Sequence, residues 1–231
     1  MSDRASLVAV LLTTVSCALL AAEIPDAGAG REALKAGKYA EALALLAPVA
    51  EKGDPEAQNM VGVIHLNGEG ELRSYDEARK WFTLAANQKH PKAQYNLGLI
   101  YERGLGVTRS APEAIAWYAK CAEQGYLPAQ LTLGRIYLDG AGVPVDNALA
   151  MKWYSAAAAG NDAEGQYQLG RLYEFGLGTP HDADMAGKWY IKAAAQGHKE
   201  AGARAAALIG APPPRRPRSK SQTQPQTKPA P

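Results

Sequence analysis

The chain has 231 residues and a net charge of +2, with 47% hydrophobic and 21% charged residues. This near balance of charge is not that of a nucleic-acid-binding protein, for which a strongly basic surface is expected. None of its four histidines pairs with a cysteine or another histidine at metal-ligand spacing. We therefore predict no nucleic-acid partner, no metal site and no cofactor.

The first 22 residues have the pattern of an export signal. Arg4 precedes an apolar run over residues 5–22, and the chain then turns polar at residues 23–26. We expect cleavage after Ala22, or after Ala29 at the end of a small-x-small triplet. One alternative is an uncleaved membrane anchor, since about 20 apolar residues span a bilayer. Another is lipid attachment at Cys17. The expected product is an exported, periplasmic protein of bacterial type, without a stable membrane span once the signal is removed.

All four tryptophans lie 36 residues apart, and glycines recur at the same interval. A period of this length is the signature of a solenoid, whose units stack because none can bury its apolar face alone. We interpret the tryptophans and one glycine series as structural anchors of the repeat. They are Trp81, Trp117, Trp153 and Trp189, with Gly62, Gly98, Gly134 and Gly170.

Each unit predicts two helices joined by a turn. Apolar residues between Ala93 and Tyr101 fall on one helical face, here called helix A, and those between Ala114 and Ala122 on another, helix B. Paired glycines between the helices allow positive φ, so helix A can end and the chain can reverse. Short polar residues then N-cap helix B, with an S-x-x-E capping box in two units. The predicted caps are Ser74, Ser110, Asp146 and Asp182.

The stretch AQYNLGLIYERGLGVTRSAPEAIAWYAKCAEQG, which starts at Ala93, resembles the Sel1-like repeat, a branch of the tetratricopeptide-repeat superfamily. The resemblance covers residues 57–200 as four units, with Lys89 and Asn161 in place of the family's terminal glycine. It implies an all-α, right-handed superhelix of αα-hairpins. Residues 30–56 are interpreted as a divergent tetratricopeptide-like unit, and residues 201–210 as a C-terminal capping helix.

Residues 211–231 are predicted to be a disordered, proline-rich basic tail, because they have too little apolar surface to offset the entropy of ordering. The tail holds five basic and no acidic residues, which leaves 20 basic against 23 acidic residues in residues 1–210. Such a tail could attract nucleic acid, anionic lipid or an acidic polymer, including peptidoglycan or an anionic polysaccharide, through nonspecific charge that salt screens. A merely solvated chain end is the alternative.

No catalytic residue is predicted, because the sequence contains no nucleophile elbow, zinc-protease motif or phosphate-binding loop. Cys121 is the only cysteine after the leader, so no intramolecular disulfide can form. It occupies a slot that holds alanine in the other three units, which indicates a buried and unreactive thiol.

The partner-binding surface is predicted on helix A, which the resemblance places on the concave side of the superhelix. Three outward slots vary between units while the core slots stay constant, and mixed aromatic and arginine side chains are typical of binding surfaces. Ordinary surface drift is the alternative. The candidate residues are Tyr95, Leu131 and Tyr167, then Arg135 and Arg171, then Glu102 and Glu174, with Leu99 and Leu138 completing the second and third slots.

The resemblance implies a non-enzymatic protein–protein interaction scaffold or adaptor of the bacterial cell envelope. The first alternative is a factor associated with peptidoglycan or exopolysaccharide, and the second is a β-lactamase-like enzyme. The enzymatic branch of the family uses regularly paired cysteines, which this chain lacks.

Overall fold

The computed structural model of the protein describes residues 27–68 and 72–210. Within these ranges the chain forms eleven α-helices and no strand. The helices are α1 (Ala27–Lys35), α2 (Tyr39–Glu51), α3 (Pro55–Asn67), α4 (Tyr75–Asn87), α5 (Pro91–Arg103), α6 (Ala111–Ala122), α7 (Leu127–Asp139), α8 (Asn147–Ala159), α9 (Ala163–Phe175), α10 (Ala183–Ala195) and α11 (Lys199–Gly210).

Each helix packs mainly against the helices that precede and follow it, so the chain is a row of hairpins. Helices α3, α5, α7 and α9 are the A helices of four successive repeats, and α4, α6, α8 and α10 are the B helices. The pair α1–α2 forms a further hairpin at one end, and α11 covers α10 at the other. The all-α solenoid predicted from the repeat period is confirmed.

The predicted leader, residues 1–22, and the predicted tail, residues 211–231, lie outside the described residues. Ala29, the alternative cleavage position, lies within α1. Across the two described ranges, no helix has both the length and the apolar character needed to cross a membrane.

Glycines in the left-handed region end helix A in the last three repeats. Gly104 has a φ of 69° and Gly106 a φ of 67°, and the corresponding glycines of the next two repeats do the same. A side chain at Gly106 would also meet Tyr75 of the preceding repeat. At the far end of the repeat, Lys89 and Asn161 hold φ values of 62° and 61°, in the slot where the family pattern has glycine.

The predicted N-caps of helix B form in three repeats out of four. Ser74, Asp146 and Asp182 accept hydrogen bonds from backbone N–H groups three residues later, whereas the Ser110 side chain makes no such bond. The reciprocal half of the predicted capping box is not formed. Instead, the backbone N–H of each cap residue donates to a carbonyl near the end of helix A, as Ser74 does to His65 at 2.9 Å.

In every repeat a helix B ring lies directly on a helix A glycine. The ring belongs to the residue after the tryptophan, and a Cβ added to any of the four glycines would lie within 2.8 Å of it. These rings are buried. The pairs are Phe82 on Gly62, Tyr118 on Gly98, Tyr154 on Gly134 and Tyr190 on Gly170.

Three of the tryptophans, Trp81, Trp117 and Trp153, lie at boundaries between hairpins. Trp117 packs against a cluster drawn from α4 and α5, and so joins helix B of the preceding repeat to helix A of its own. Trp153 is buried in the next such cluster, while Trp81 and Trp189 are, like Trp117, half-buried. The amino groups of Lys120 and Lys192 lie 3.6 Å and 4.1 Å from the centres of neighbouring tryptophan rings, within cation–π range.

A series of buried glutamines, again 36 residues apart, connects successive hairpins. The side-chain amides of the first three donate to backbone carbonyls at the end of the preceding helix B, at 3.1 to 3.2 Å. Three of the four also accept from a second glutamine at the end of their own helix B, at 2.7 to 2.9 Å. The series is Gln58, Gln94, Gln130 and Gln166, and its donors are Gln88, Gln124 and Gln196.

Candidate functional site

The predicted binding tyrosines, Tyr95 and Tyr167, each cover the buried ring of their own repeat. The Tyr95 ring lies 5.2 Å from that of Tyr118, and the Tyr167 ring 5.7 Å from that of Tyr190. Each covering ring also contacts an aromatic residue at the start of the next hairpin, which is Tyr126 in one case and His198 in the other. In the second and fourth repeats the buried tyrosine is therefore closed off from solvent by rings.

Two glutamates complete these closed clusters. The hydroxyl of Tyr118 donates to Glu102 at 2.6 Å, and that of Tyr190 donates to Glu174 at 2.5 Å. Burial, together with the hydrogen bond to a carboxylate, raises the pKa of both phenols well above the usual range. Both tyrosines are consequently neutral hydrogen-bond donors.

Each of these glutamates also faces an arginine from the helix two places further along the chain. Arg135 of α7 lies 3.8 Å from Glu102, and Arg204 of α11 lies 3.0 Å from Glu174. One carboxylate thus accepts from a buried tyrosine below it and pairs with an arginine beside it. This arrangement occurs twice along the array.

The third repeat lacks three of the side chains that close the site elsewhere. Leu131 replaces the covering tyrosine, Leu138 replaces the glutamate, and Asp162 replaces the aromatic residue at the start of the next hairpin. An open cavity of about 300 Å³ lies there, between α7 and α9. It is lined by Leu131, Thr132, Arg135, Leu138, Asp139, Tyr154, Glu164, Gln168 and Arg171.

Two hydrogen-bond donors in this cavity have capacity for a further acceptor. Within the described part of the chain, the Tyr154 hydroxyl has no hydrogen-bond partner, and Arg171 donates only to Gln168, at 3.0 Å. Burial and then the nearby acids Asp139 and Glu164 raise the pKa of Tyr154 to about 12, so it stays protonated at neutral pH. The cavity therefore presents a neutral phenol and a guanidinium, both of which suit an acceptor.

Two acids also line the cavity, and they are not equivalent. Glu164 is already engaged, because it accepts from Gln168 at 2.6 Å and lies 3.1 Å from His198. Asp139, at the end of α7, has no hydrogen bond or ion pair with any residue in the described ranges.

The structure separates the predicted binding residues into three groups. Tyr95 and Glu102 belong to one closed cluster and Tyr167 and Glu174 to another, whereas Leu131 and Arg171 line the cavity. Arg135 belongs to both groups, because it pairs with Glu102 and also lines the cavity. The sequence analysis missed Tyr154 and Asp139 as cavity residues. The signal that could have found them is the break in the 36-residue pattern at 131, 138 and 162.

Cys121 lies on the core side of α6 and is fully buried. Its thiol donates to the Tyr118 carbonyl at 3.2 Å, and burial raises its pKa to about 12. A thiol in this state is a poor nucleophile. Among the residues that the structure describes, no three His, Cys, Asp or Glu side chains form a group that could hold a metal ion.

Helical hairpins repeated at 36 residues define an αα-hairpin solenoid, and the comparisons with known proteins identify its family. The Sel1 repeat model matches residues 55–90, 91–126, 127–162 and 163–198. The chain belongs to the Sel1 repeat family. No curated protein matches the chain significantly.

Solved structures of Sel1 repeat proteins resemble the chain closely. A Sel1 repeat protein from Oxalobacter formigenes is 35% identical with a TM-score of 0.71, over 78% of this chain and 74% of that one. A protective antigen of uropathogenic Escherichia coli, which has an SLR fold, is 36% identical with a TM-score of 0.70 over 74% of this chain. The match spans only 37% of that antigen's length.

A sel1 repeat protein from Klebsiella pneumoniae is 17% identical with a TM-score of 0.50, a likeness of fold alone. Sel1 repeat proteins generally mediate protein–protein interactions and are typically non-enzymatic scaffolds.

Proposed function

We propose that this protein is a non-enzymatic interaction module of the bacterial cell envelope, which binds a protein partner on the face formed by its A helices. The observation that carries the proposal is the cavity of the third repeat. It arises where outward residues of helix A depart from the repeat while the core residues beneath them do not. Arg135 and Arg171 from successive A helices border it, and arginine is among the residues that most often dominate binding energy.

The binding face is tested by site-specific photo-cross-linking of the full chain in an envelope fraction. We would place the cross-linker at Arg103, which is exposed at the end of helix A, and at Ala116, which is exposed on helix B. A protein partner should be captured from Arg103 and not from Ala116. Capture should be lost in the Arg135→Glu, Arg171→Glu double variant, while its circular dichroism and melting temperature stay close to wild type.

Equal capture from both positions would contradict the proposed face. Retention on purified cell-wall sacculi without any captured protein, abolished by deletion of residues 211–231 and by salt, would instead support the role in contact with wall polymer. Turnover of a chromogenic β-lactam that a single substitution abolishes would refute the non-enzymatic assignment.

The envelope location rests on the apolar run over residues 5–22 and needs its own test. Residues 1–30 fused to alkaline phosphatase, which requires disulfides and is active only in an oxidising compartment, should give activity in a bacterial host. Replacement of Leu11 and Leu12 by arginine should abolish that activity, because a charged core cannot serve as an export signal. An active fusion in both cases would refute export by this segment.

A further inference from the structure

We propose that the cavity of the third repeat receives the carboxylate of an Asp or Glu side chain from the protein partner, which is held by the Tyr154 hydroxyl and the Arg171 guanidinium. This inference rests on the proposed function and names the chemistry of its binding site. The structure itself supplies the template, because neighbouring repeats hold a carboxylate of their own at the equivalent place.

A carboxylate that accepts from a buried tyrosine and lies beside an arginine is found in two repeats. In the second repeat, Glu102 accepts from Tyr118 at 2.6 Å and lies 3.8 Å from Arg135. In the fourth, Glu174 accepts from Tyr190 at 2.5 Å and lies 3.0 Å from Arg204. In both cases the tyrosine comes from helix B of the same repeat. The arginines come from different slots, because Arg204 of α11 lies in the slot of Gln168, three residues before that of Arg135.

The third repeat keeps the two donors of the second repeat but lacks the carboxylate acceptor and the two aromatic side chains that cover the site there. Tyr154 occupies the slot of Tyr118, and Arg171 occupies the slot of Arg135. Leu138 stands where Glu102 and Glu174 stand elsewhere, and its side chain cannot accept a hydrogen bond. A carboxylate supplied from outside would therefore restore the arrangement that the second repeat builds with Glu102, Tyr118 and Arg135.

The other side chains of the cavity define the surroundings of that carboxylate. Leu131 and Leu138 add apolar surface, which suits an acidic residue flanked by aliphatic ones. Glu164 is occupied by His198 and Gln168, so Asp139 is the one cavity acid with no partner in residues 27–68 and 72–210. Its charge opposes an incoming anion, and its removal should therefore strengthen binding.

The first experiment fills the site from within the chain. Leu138→Glu places a carboxylate in the template position, and Leu138→Gln is the matched neutral control. At pH 7 we expect the Glu variant to melt about 2 to 4 °C above the Gln variant. The difference should vanish in a Tyr154→Phe, Arg171→Gln background. Equal melting temperatures in the wild-type background would overturn the proposal.

The second experiment uses the full chain and two peptide probes, acetyl-Leu-Glu-Leu-amide and acetyl-Leu-Gln-Leu-amide, with binding followed by NMR. The Glu peptide should bind about tenfold more tightly than the Gln peptide, as expected for charge-assisted hydrogen bonds. Leu138→Glu should abolish its binding, and Asp139→Asn should strengthen it. Equal affinity for the two peptides, or weaker binding to the Asp139→Asn variant, would overturn the proposal.

The two proposals fail in different ways. If the Glu peptide binds as expected but cross-linking captures no protein, the interaction module is refuted while the carboxylate site stands. If a partner is captured on the helix A face but both peptides bind equally, the carboxylate site alone is refuted.

Discussion

Four glycines of the A helices hold the hairpins together, because a ring from helix B occupies the space where their side chains would be. Gly98 and Tyr118 show the relation most clearly, since the ring is fully buried and has no room to move away. The identity of the adjacent tryptophan matters at a different boundary, the one between hairpins. Two consecutive aromatic residues thus serve two separate interfaces.

We predict that Gly98→Ala destabilises the protein by about 2 to 3 kcal/mol, because overpacking of a filled core forces side chains and backbone apart. The matched control is Gly187→Ala in α10, where an added Cβ would meet nothing within 4 Å. That substitution should stabilise the protein by up to about 1 kcal/mol, since alanine is the better helix former. Chemical denaturation measures both, and equal effects of the same sign would contradict the packing argument.

Cys121 should be unreactive in the folded protein. Its pKa of about 12 and its complete burial leave almost no accessible thiolate at pH 8. We expect a chromogenic disulfide reagent to react only at the rate of unfolding, and at once in denaturant. Cys121→Ala, which restores the residue of the other repeats, should change stability by less than about 1.5 kcal/mol. Rapid reaction under native conditions would refute burial of the thiol.

At this scale the sequence predicts which residues repeat but not which partner each one meets. Trp117 and Tyr118 both belong to series with the same period, so the period does not predict which ring lies on Gly98. The rotation of helix B about its axis determines that contact. That rotation depends on the packing of two hairpins at once. The 36-residue period predicts the tryptophan as a structural anchor of the repeat, whereas the ring that lies on the glycine belongs to the next residue.

Between elements, the glutamine series ties each A helix to the preceding B helix, and it has one missing member. Gly160 stands in the slot of Gln88, Gln124 and Gln196, so the side-chain oxygen of Gln130 receives no such donor. Gly160 has a φ of −72°, which any residue can adopt.

We predict that Gly160→Gln stabilises the protein by about 1 kcal/mol through a new hydrogen bond and a less flexible unfolded chain. Gly160→Ala supplies only the second contribution and is the control. Thermal melts should therefore rank glutamine above alanine and alanine above glycine. If glutamine and alanine are equal, the side-chain hydrogen bond contributes nothing.

The ends of neighbouring A helices are also linked by ionisable groups. The Nε2 atom of His90 lies 2.8 Å from Glu56, and Lys92 lies 3.4 Å from it. Burial raises the pKa of Glu56, but the hydrogen bond from His90 and the charge of Lys92 outweigh it, so the pKa is lowered overall from 4.5.

A lowered carboxyl pKa contributes stability that is present above the unfolded pKa and is lost as the pH falls through the folded one. Glu56→Gln should therefore cost less than about 1 kcal/mol at pH 7, and the cost should be lost as the pH falls below 4.5 and Glu56 becomes protonated in the folded protein. Unfolding curves of the variant and the wild type at several pH values check this. A cost that does not decline as the pH is lowered would show that charge is not its origin.

Over residues 27–68 and 72–210 the chain is a one-dimensional array, in which each hairpin packs mainly against its neighbours. The last hairpin is covered by α11, whose Ala201 and Ala205 pack with Tyr190 and Ala193. Loss of this cover should act locally, because distant hairpins share no contact with it.

We predict that a chain ending at residue 198 exchanges the amide hydrogens of α9 and α10 at least about tenfold faster, while exchange in α3 and α4 is unchanged. A chain ending at Gly210 removes only residues 211–231 and is the control. Hydrogen exchange read by mass spectrometry distinguishes the two. Equal acceleration in every hairpin would show that the array unfolds as a single unit.

At the same scale, the fold was far more predictable than the site. A repeated core slot is visible in the sequence four times, and the family and the solenoid follow from that repetition. A cavity is instead produced by what is absent from one repeat, and its size depends on the distance between α7 and α9. Leu131, Arg135 and Arg171 could be chosen as outward residues that vary, and the break in the pattern at 131, 138 and 162 marks the repeat concerned, but the size of the cavity and its contact with Tyr154 required the structure.

The cavity exists because the third repeat lacks three side chains that the second repeat has. Because the helical hairpin beneath the cavity recurs in each repeat, three side chains determine which repeat carries the cavity. Substitution of these side chains should therefore move it. Tyr95→Leu, Glu102→Leu and Tyr126→Asp would open the same cavity one repeat earlier, and the reverse exchanges at Leu131, Leu138 and Asp162 would close the present one. The choice of the repeat that lacks these three side chains would then set the position along the array at which an acidic residue of the partner binds.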